Sequence, residues 1–265
     1  MAEETGRTPV RFRGGGFQPG GRRWAPWAAF AAIIAGWQLA SATGLLPPLI
    51  MPSPYEVVLA LGHLAASGDL TDHVVASLSR IAWGWLIGTL AGLGVGFAMG
   101  IWSLARSAGI PVVAALFPIP KIALLPLLIL WLGIDEAPKI ATIALGVFFP
   151  TVIGTYSAVD NVPRSLIRMA QSFNLPNPAI VWKVILPGAM PGILAAFRIT
   201  SSIALILLVA AEMIGAEFGI GSFILAAGNL MQTDQLVAGV VLLSILGLTI
   251  SFVLGRVERW LLNWR

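Results

Sequence analysis

Charge is what this sequence has least of. Charged residues make up 11% of its 265 positions, against about a quarter in an ordinary soluble domain. That shortfall, with 57% apolar content, excludes a soluble globular fold and points to an all-α polytopic membrane protein. Cysteine is absent, which removes disulfide frameworks and thiolate metal sites. Histidine occurs only as His63 and His73; neither has a second ligand at metal spacing, so both read as solvated or interfacial rings and no metal site is expected. The lysines stand in Pro120-Lys121-Ile122, Pro138-Lys139-Ile140 and Trp182-Lys183-Val184. A phosphate-binding loop needs Gly before its Lys and Ser or Thr after it, so this chain does not bind ATP in that way. No Gly-x-Ser-x-Gly turn is present either, and the reading is a non-enzyme with no cofactor of its own.

What is present is a series of apolar runs, each near the 20 residues that span a hydrocarbon core of about 30 Å. Residues 1–23 are rich in Gly and Arg and read as a basic tail ahead of a membrane domain over 24–265. Residues 24–45 form the first span. Ala40, Ser41 and Ala42 mimic a signal-cleavage site, but the apolar run is long for a signal, so an uncleaved helix is expected. Residues 46–72 hold Pro47, Pro48, Pro52 and Pro54 and an amphipathic piece over 55–66, placed along the outer surface. The second span, 74–101, carries Gly84, Gly88, Gly92, Gly96 and Gly100. Glycine at every fourth position clears a stripe for close helix approach; it could serve as a dimer seam, though packing inside the subunit is the reading that a multi-helix chain favours.

The third span, 110–132, is interrupted by Pro111, Pro118, Pro120 and Pro126, which predicts a broken helix lining protein or a wet cavity. Spans over 140–159, 188–214 and 236–254 follow, with an external loop at 215–232, giving about six transmembrane helices. Tryptophans Trp24, Trp102, Trp131, Trp260 and Trp264 fall near span ends, as interfacial anchors do.

The longest polar interval after the first span is 160–187. It reads as two short helices and an elbow. Asn161 and Pro163 suit a helix start, and Leu166, Met169, Ala170 and Phe173 share one apolar face, with Arg164, Arg168 and Gln171 off it. Asn174 tolerates left-handed geometry where that helix must stop, and Pro176 prevents its continuation. Asn177 and Pro178 then start a second helix over 179–186 that Pro187 ends. Twelve Lys and Arg residues lie on the elbow's side: five in the tail, Arg106, Arg164, Arg168, Lys183, Arg256, Arg259 and Arg265. Lys139 alone lies opposite, among Glu56, Asp69, Asp72, Asp135, Glu136, Glu217 and Asp234. Such a bias places the elbow and both termini in the cytoplasm. The net charge of +4 is thus a topology signal, with no sign of nucleic acid as partner.

The elbow resembles the cytoplasmic loop of ABC-importer permease subunits, whose pattern is Glu-Ala-Ala, Gly four residues later, then an apolar residue, Leu and Pro. Arg168, Met169 and Ala170 take the first three places, Asn174 the Gly place, and Ile185, Leu186 and Pro187 the last three. FPIPKIALLP at 117–126, together with ILWLGIDEAPK, ALGVFFP and LVAAEMIG, is similar to the nitrate, sulfonate and taurine branch, so the likeness runs from about residue 78 to the C-terminus. The resemblance implies a type I ABC-importer permease fold in a bacterial inner membrane. It also implies two ATP-binding subunits carrying ATP and Mg, and an extracytoplasmic substrate-binding protein. Leu166, Arg168, Met169, Ala170, Gln171, Ser172, Phe173 and Asn174 would form the helix that seats in the ATPase, and the cargo would be a small anion of the sulfonate, taurine or nitrate type. Six helices are few for a pathway, so a second permease copy, most simply an identical one, is expected.

Arg80, Lys121 and Arg198 fall within expected spans, where ionisable groups are costly and face a cavity or a partner. With Ser201 and Glu212, Lys121 and Arg198 form the candidate translocation pathway, made attractive to an anion. The competing reading has these cations snorkelling or paired with Glu212, the lone intramembrane acid, and fits Arg80 better than Lys121. An ion-coupled secondary transporter is the alternative function; only one span is heavily Pro-interrupted, which lacks the matched broken helices of repeated halves.

Overall fold

The computed structural model describes residues 24–47 and 49–263; the basic tail expected over 1–23 lies outside these, as do Pro48, Trp264 and Arg265. A backbone in hydrocarbon must satisfy its polar groups within its own segment, and all regular structure among the described residues is helical. Five helices are long and apolar enough to cross a membrane, or six when one sharply bent pair is taken together.

The first, α1 (Ala25–Ala42), has no buried residue. It is tied at its end by Trp37, whose Nε1 donates to the Pro52 carbonyl at 3.0 Å. Helix α2 (Pro54–Ser67) starts in a capping box: Ser53 Oγ accepts from the Glu56 amide and Glu56 Oε2 accepts from the Ser53 amide at 2.6 Å. Gly68, with φ 87°, turns the chain directly into α3 (Asp69–Ile101). That helix starts five residues before the expected span, with Asp69 and Asp72 in its first turn, where the helix dipole favours acids.

The seam between α3 and α6 (Glu136–Asp160) is the spine of the molecule. All five glycines of the α3 stripe face α6. A Cβ on Gly84 would stand 2.7 Å from Ile143, one on Gly92 2.7 Å from Thr151, and one on Gly96 2.6 Å from Thr155. The stripe is therefore used within the subunit, where it lets two backbones approach more closely than any side chain would permit. On the other side of α6 lies α9 (Leu186–Gly215), and Ile81, Ile143, Val147, Ala204, Leu208, Ile220 and Leu246 close the main core.

Between α3 and α6 the third crossing is broken as the prolines require. Helix α4 (Ser103–Leu116) starts earlier than the expected span because Trp102 interrupts α3 for only one residue. A 3-10 turn (Lys121–Leu124) and α5 (Leu125–Leu132) follow, bent by 82° from α4.

The chain after α6 differs from expectation in three respects, two of them in the polar interval. Asn161 does not cap the first elbow helix; it terminates α6, and α7 (Arg164–Ser172) starts after Pro163 with no side-chain cap. The second elbow helix does not stop at Pro187. Helix α8 (Asn177–Ile180) runs through a π turn (Val181–Ile185) into α9, and Pro187 lies in the first turn of α9. A widened turn moves the carbonyl row away from the proline ring, so a residue without an N–H is carried without ending the helix. Thirdly, the expected external loop contains α10 (Ile220–Asn229), a ten-residue helix too short to cross. Helix α11 (Thr233–Leu261) completes the chain.

Candidate functional site

The elbow end of the bundle presents α7. Its predicted apolar face divides in two: Ala170 is buried, and Ile167, not among the four residues of that face, packs on the cluster of Val159, Val162 and Ile193, whereas Leu166, Met169 and Phe173 stand exposed on the outside, Phe173 at 75%. These three occupy positions i, i+3 and i+7, a continuous ridge along the helix. Arg168, Gln171, Ser172 and Asn174 are exposed beside it.

The end of α7 is fixed by backbone geometry. Asn174 has φ 55°, its amide donates to the Gln171 carbonyl at 2.9 Å and the Leu175 amide donates to the Ala170 carbonyl at 3.2 Å. This pair of bonds is a Schellman motif, with Asn at the left-handed position where Gly is commonest. Ser172 Oγ closes the same turn on the Met169 carbonyl at 2.7 Å. Beside the elbow, Arg106 pairs with Asp160 and its guanidinium lies 5.0 Å over the Tyr156 ring, joining α4 to the end of α6.

The opposite end carries a buried charge cluster. His73, Ser77 and Arg80 repeat at i, i+4 and i+7, on the same stripe of α3 that its glycines continue. His73 Nδ1 accepts from the Gly219 amide at 2.9 Å, Ser77 Oγ accepts from the Ile220 amide at 2.9 Å, and Glu212 Oε2 accepts from the Gly221 amide at 2.8 Å. Three consecutive N–H groups at the start of α10 are thus satisfied by side chains of α3 and α9. His73 also packs between Phe218 and Phe223, so it is a half-buried structural acceptor and not a solvated ring.

Arg80 lies at the centre of this cluster. Its Nη1 donates to Glu212 Oε1 at 2.7 Å and to the Phe218 carbonyl at 2.6 Å; its Nε and Nη2 grip both oxygens of Glu136. Glu212 receives a further bond from Ser77 Oγ at 2.7 Å. Arg80 and Glu212 are 2% and 1% exposed, and Lys139, the one cation assigned to the side opposite the elbow, is buried with Nζ 3.1 Å from Glu136. A cavity of about 520 Å³ opens against this cluster, lined by Asp135, Glu136, Lys139, Glu217 and Asn229 among others.

The other pathway candidates lie apart from it. Lys121 Nζ donates to the carbonyls of Leu116, Phe117 and Ile119 and sits 4.6 Å over the Phe149 ring. Pro120 would have supplied the ladder donor to Leu116, and the next residue's ammonium replaces it. Arg198 pairs with Glu258 of α11, half-exposed, and Ser201 is buried with its hydroxyl bonded to the Arg198 carbonyl at 2.8 Å. Fourteen residues of α9 separate Arg198 from Glu212, about 21 Å at helical rise. Pairing with Glu212 therefore holds for Arg80, while Lys121 and Arg198 have partners that pattern alone did not reveal.

Residues 84–263 match the family described as binding-protein-dependent transport system inner membrane component. The chain belongs to that family. It is 38% identical over 236 residues to the putative aliphatic sulfonates transport permease protein SsuC of Bacillus subtilis (strain 168), covering 89% of this chain and 85% of that one. It is 34% identical over 239 residues to the taurine transport system permease protein TauC of Escherichia coli (strain K12), covering 88% and 87%. Among solved structures it matches a chain of the MetNI methionine ABC transporter in an inward-facing conformation, with TM-score 0.63, 25% identity, and coverage of 73% of this chain and 96% of that one. The permease is therefore a multi-pass membrane component of an ABC transporter, a transport subunit and not an enzyme, and works with ATP-hydrolysing and substrate-binding partners.

Proposed function

We propose that this permease imports a small sulfonate-type anion, with aliphatic sulfonates and taurine as the leading candidates, as a homodimer bound to two ATPase subunits and an extracytoplasmic binding protein. The observation that carries the coupling half of this reading is the exposed ridge Leu166–Met169–Phe173 on a helix seated on the bundle through Ala170 and Ile167. An apolar ridge on a polar elbow is completed by another protein surface, and a large aromatic such as Phe173 is the residue type that anchors such contacts. Ala170 and the Schellman turn at Asn174 hold α7 rigidly enough to transmit a push, while Arg168, Gln171 and Ser172 form the polar rim. The basic residues near this end, Arg164, Arg168, Lys183, Arg256 and Arg259, support a cytoplasmic elbow and cytoplasmic termini in a bacterial inner membrane.

The cargo half rests on the relatives' names and on cations at several depths, Arg198, Lys121 and Arg80, with Ser201 and Glu212 on α9. In this reading the paired cations offset the cost of an anion in the membrane without holding it tightly. ATP and Mg belong to the partner ATPase. The test is reconstitution of the permease with its candidate ATPase and binding protein in lipid vesicles. ATP hydrolysis should rise on adding an alkanesulfonate or taurine and should not respond to a neutral analogue. Hydrolysis indifferent to every sulfonate, or sulfonate uptake without any ATPase, would overturn the proposal.

A further inference from the structure

Two of the three arms of the Arg80 cluster are rooted in the buried fold; the third stands at the edge of a cavity. Glu212 is buried and receives bonds from Arg80, Ser77 and the Gly221 amide, and the Phe218 carbonyl is fixed by the turn into α10. Glu136 differs. Its side chain is 46% exposed, it sits at the first residue of α6 beside the 520 Å³ cavity, and among the described residues Arg80 and Lys139 hold it. Counted without Glu136, the buried members carry one excess positive charge, two cations in Arg80 and Lys139 against one carboxylate in Glu212. Glu136 neutralises it.

We propose that Glu136 is a resident counter-anion, and that a small oxyanion of the sulfonate class entering the cavity takes its place on the Nε–Nη2 fork of Arg80. The inference rests on the proposed reading that the cargo is anionic, and gives that cargo a docking point on this chain. The fork already receives two oxygens of one planar group, and a sulfonate presents a pair of oxygens that the same two parallel N–H donors can engage. Arg80 is desolvated before any exchange, so the incoming anion does not have to strip water from the guanidinium. Glu136 swings into a cavity that it already half occupies and recovers hydration there. Asp135 and Glu217 line the same cavity and repel anions, so occupancy is brief, as transit demands. The neutral fork with Glu136 in place keeps an unpaired buried cation from persisting between turnovers.

The experiment titrates the full-length permease, purified alone in lipid nanodiscs, with sodium methanesulfonate and follows its thermal unfolding midpoint. Sodium chloride at equal ionic strength and methanol serve as controls. Glu136→Gln removes the resident charge at nearly constant volume, and Glu136→Asp keeps the charge but shortens its reach. Half-saturation by methanesulfonate is expected to fall at least about tenfold in Glu136→Gln and by less in Glu136→Asp. Replacing Arg80 by Lys in the Glu136→Gln background keeps the positive charge but removes the fork, and should abolish the gain. Equal responses of wild type and both Glu136 variants, or an equal response to chloride, would overturn the proposal. Failure of both variants to fold would also overturn it, by making Glu136 an indispensable strut. Because no ATPase or binding protein is present, methanesulfonate binding can succeed while sulfonate-stimulated hydrolysis fails, and the reverse, so the two readings fail separately.

Discussion

The two ends of the bundle handle polarity in opposite ways. At the elbow end, α7 leaves an apolar ridge and several cations facing outward, and the side chains of Leu166, Met169 and Phe173 stand exposed among the described residues. At the far end, Arg80, Glu212, Ser77 and Lys139 are buried, and each polar group has a partner supplied by α3, α6, α9 or α10. One end is finished internally; in the proposed reading the other is completed by a second protein. Mutations should therefore separate: changes at the far end register in the stability of the isolated permease, and changes on the exposed ridge of the elbow register in assembly.

The largest effect belongs to the buried pair. Glu212→Ala leaves Arg80 with Glu136 as its carboxylate partner and strands the Gly221 amide, and should reduce stability by about 3 kcal/mol, read as a lower unfolding midpoint of the permease alone. Joint replacement of Arg80 and Glu212 by Met should recover part of that loss; a double variant no better than Glu212→Ala would mean that shape and not charge holds the cluster. Next comes Phe173→Ala, which should weaken ATPase binding by about 2 kcal/mol or more, roughly 30-fold. Its unfolding midpoint should stay unchanged, and a drop there would break the contrast between the two ends. Lys121→Met leaves three carbonyls at the α4–α5 bend without their ammonium, and about 1–3 kcal/mol of destabilisation is expected, measurable in the same thermal assay. Asn174→Ala places a Cβ without a polar side chain at a left-handed residue and should cost about 1 kcal/mol, whereas Asn174→Gly should be neutral or slightly stabilising. The smallest effect is expected from Arg168→Glu, an exposed change worth up to about 1 kcal/mol and confined to assembly with the ATPase.

The same contrast explains what the sequence disclosed. Periodicity and proline placement were legible: the glycine stripe of α3, the broken third crossing and the left-handed stop at Asn174 all follow from local stereochemistry. The pairing of Arg80 with Glu212 was legible because burial leaves an ionised group few choices. Other features depend on the third dimension. Nothing local states that Pro187 sits behind a π turn, since the widened turn is a property of the helix that carries it. Glu258 as partner of Arg198 and Glu136 as partner of Arg80 lie 60 and 56 residues away in the chain, beyond any helical repeat. A signal for the far-end cluster was nonetheless present, in His73, Ser77 and Arg80 at i, i+4 and i+7, three polar residues on the face of α3 that its glycines also occupy.

The central claim is that α7 lies on the cytoplasmic side and is covered by an ATPase. The natural absence of cysteine makes Met169→Cys the sole thiol in the protein. Labelling it with a membrane-impermeant maleimide tests the claim most directly. The account predicts no labelling in intact cells, labelling once the inner membrane is opened, and protection when the ATPase is assembled. Labelling from outside intact cells, or full reactivity within the assembled complex, would contradict it.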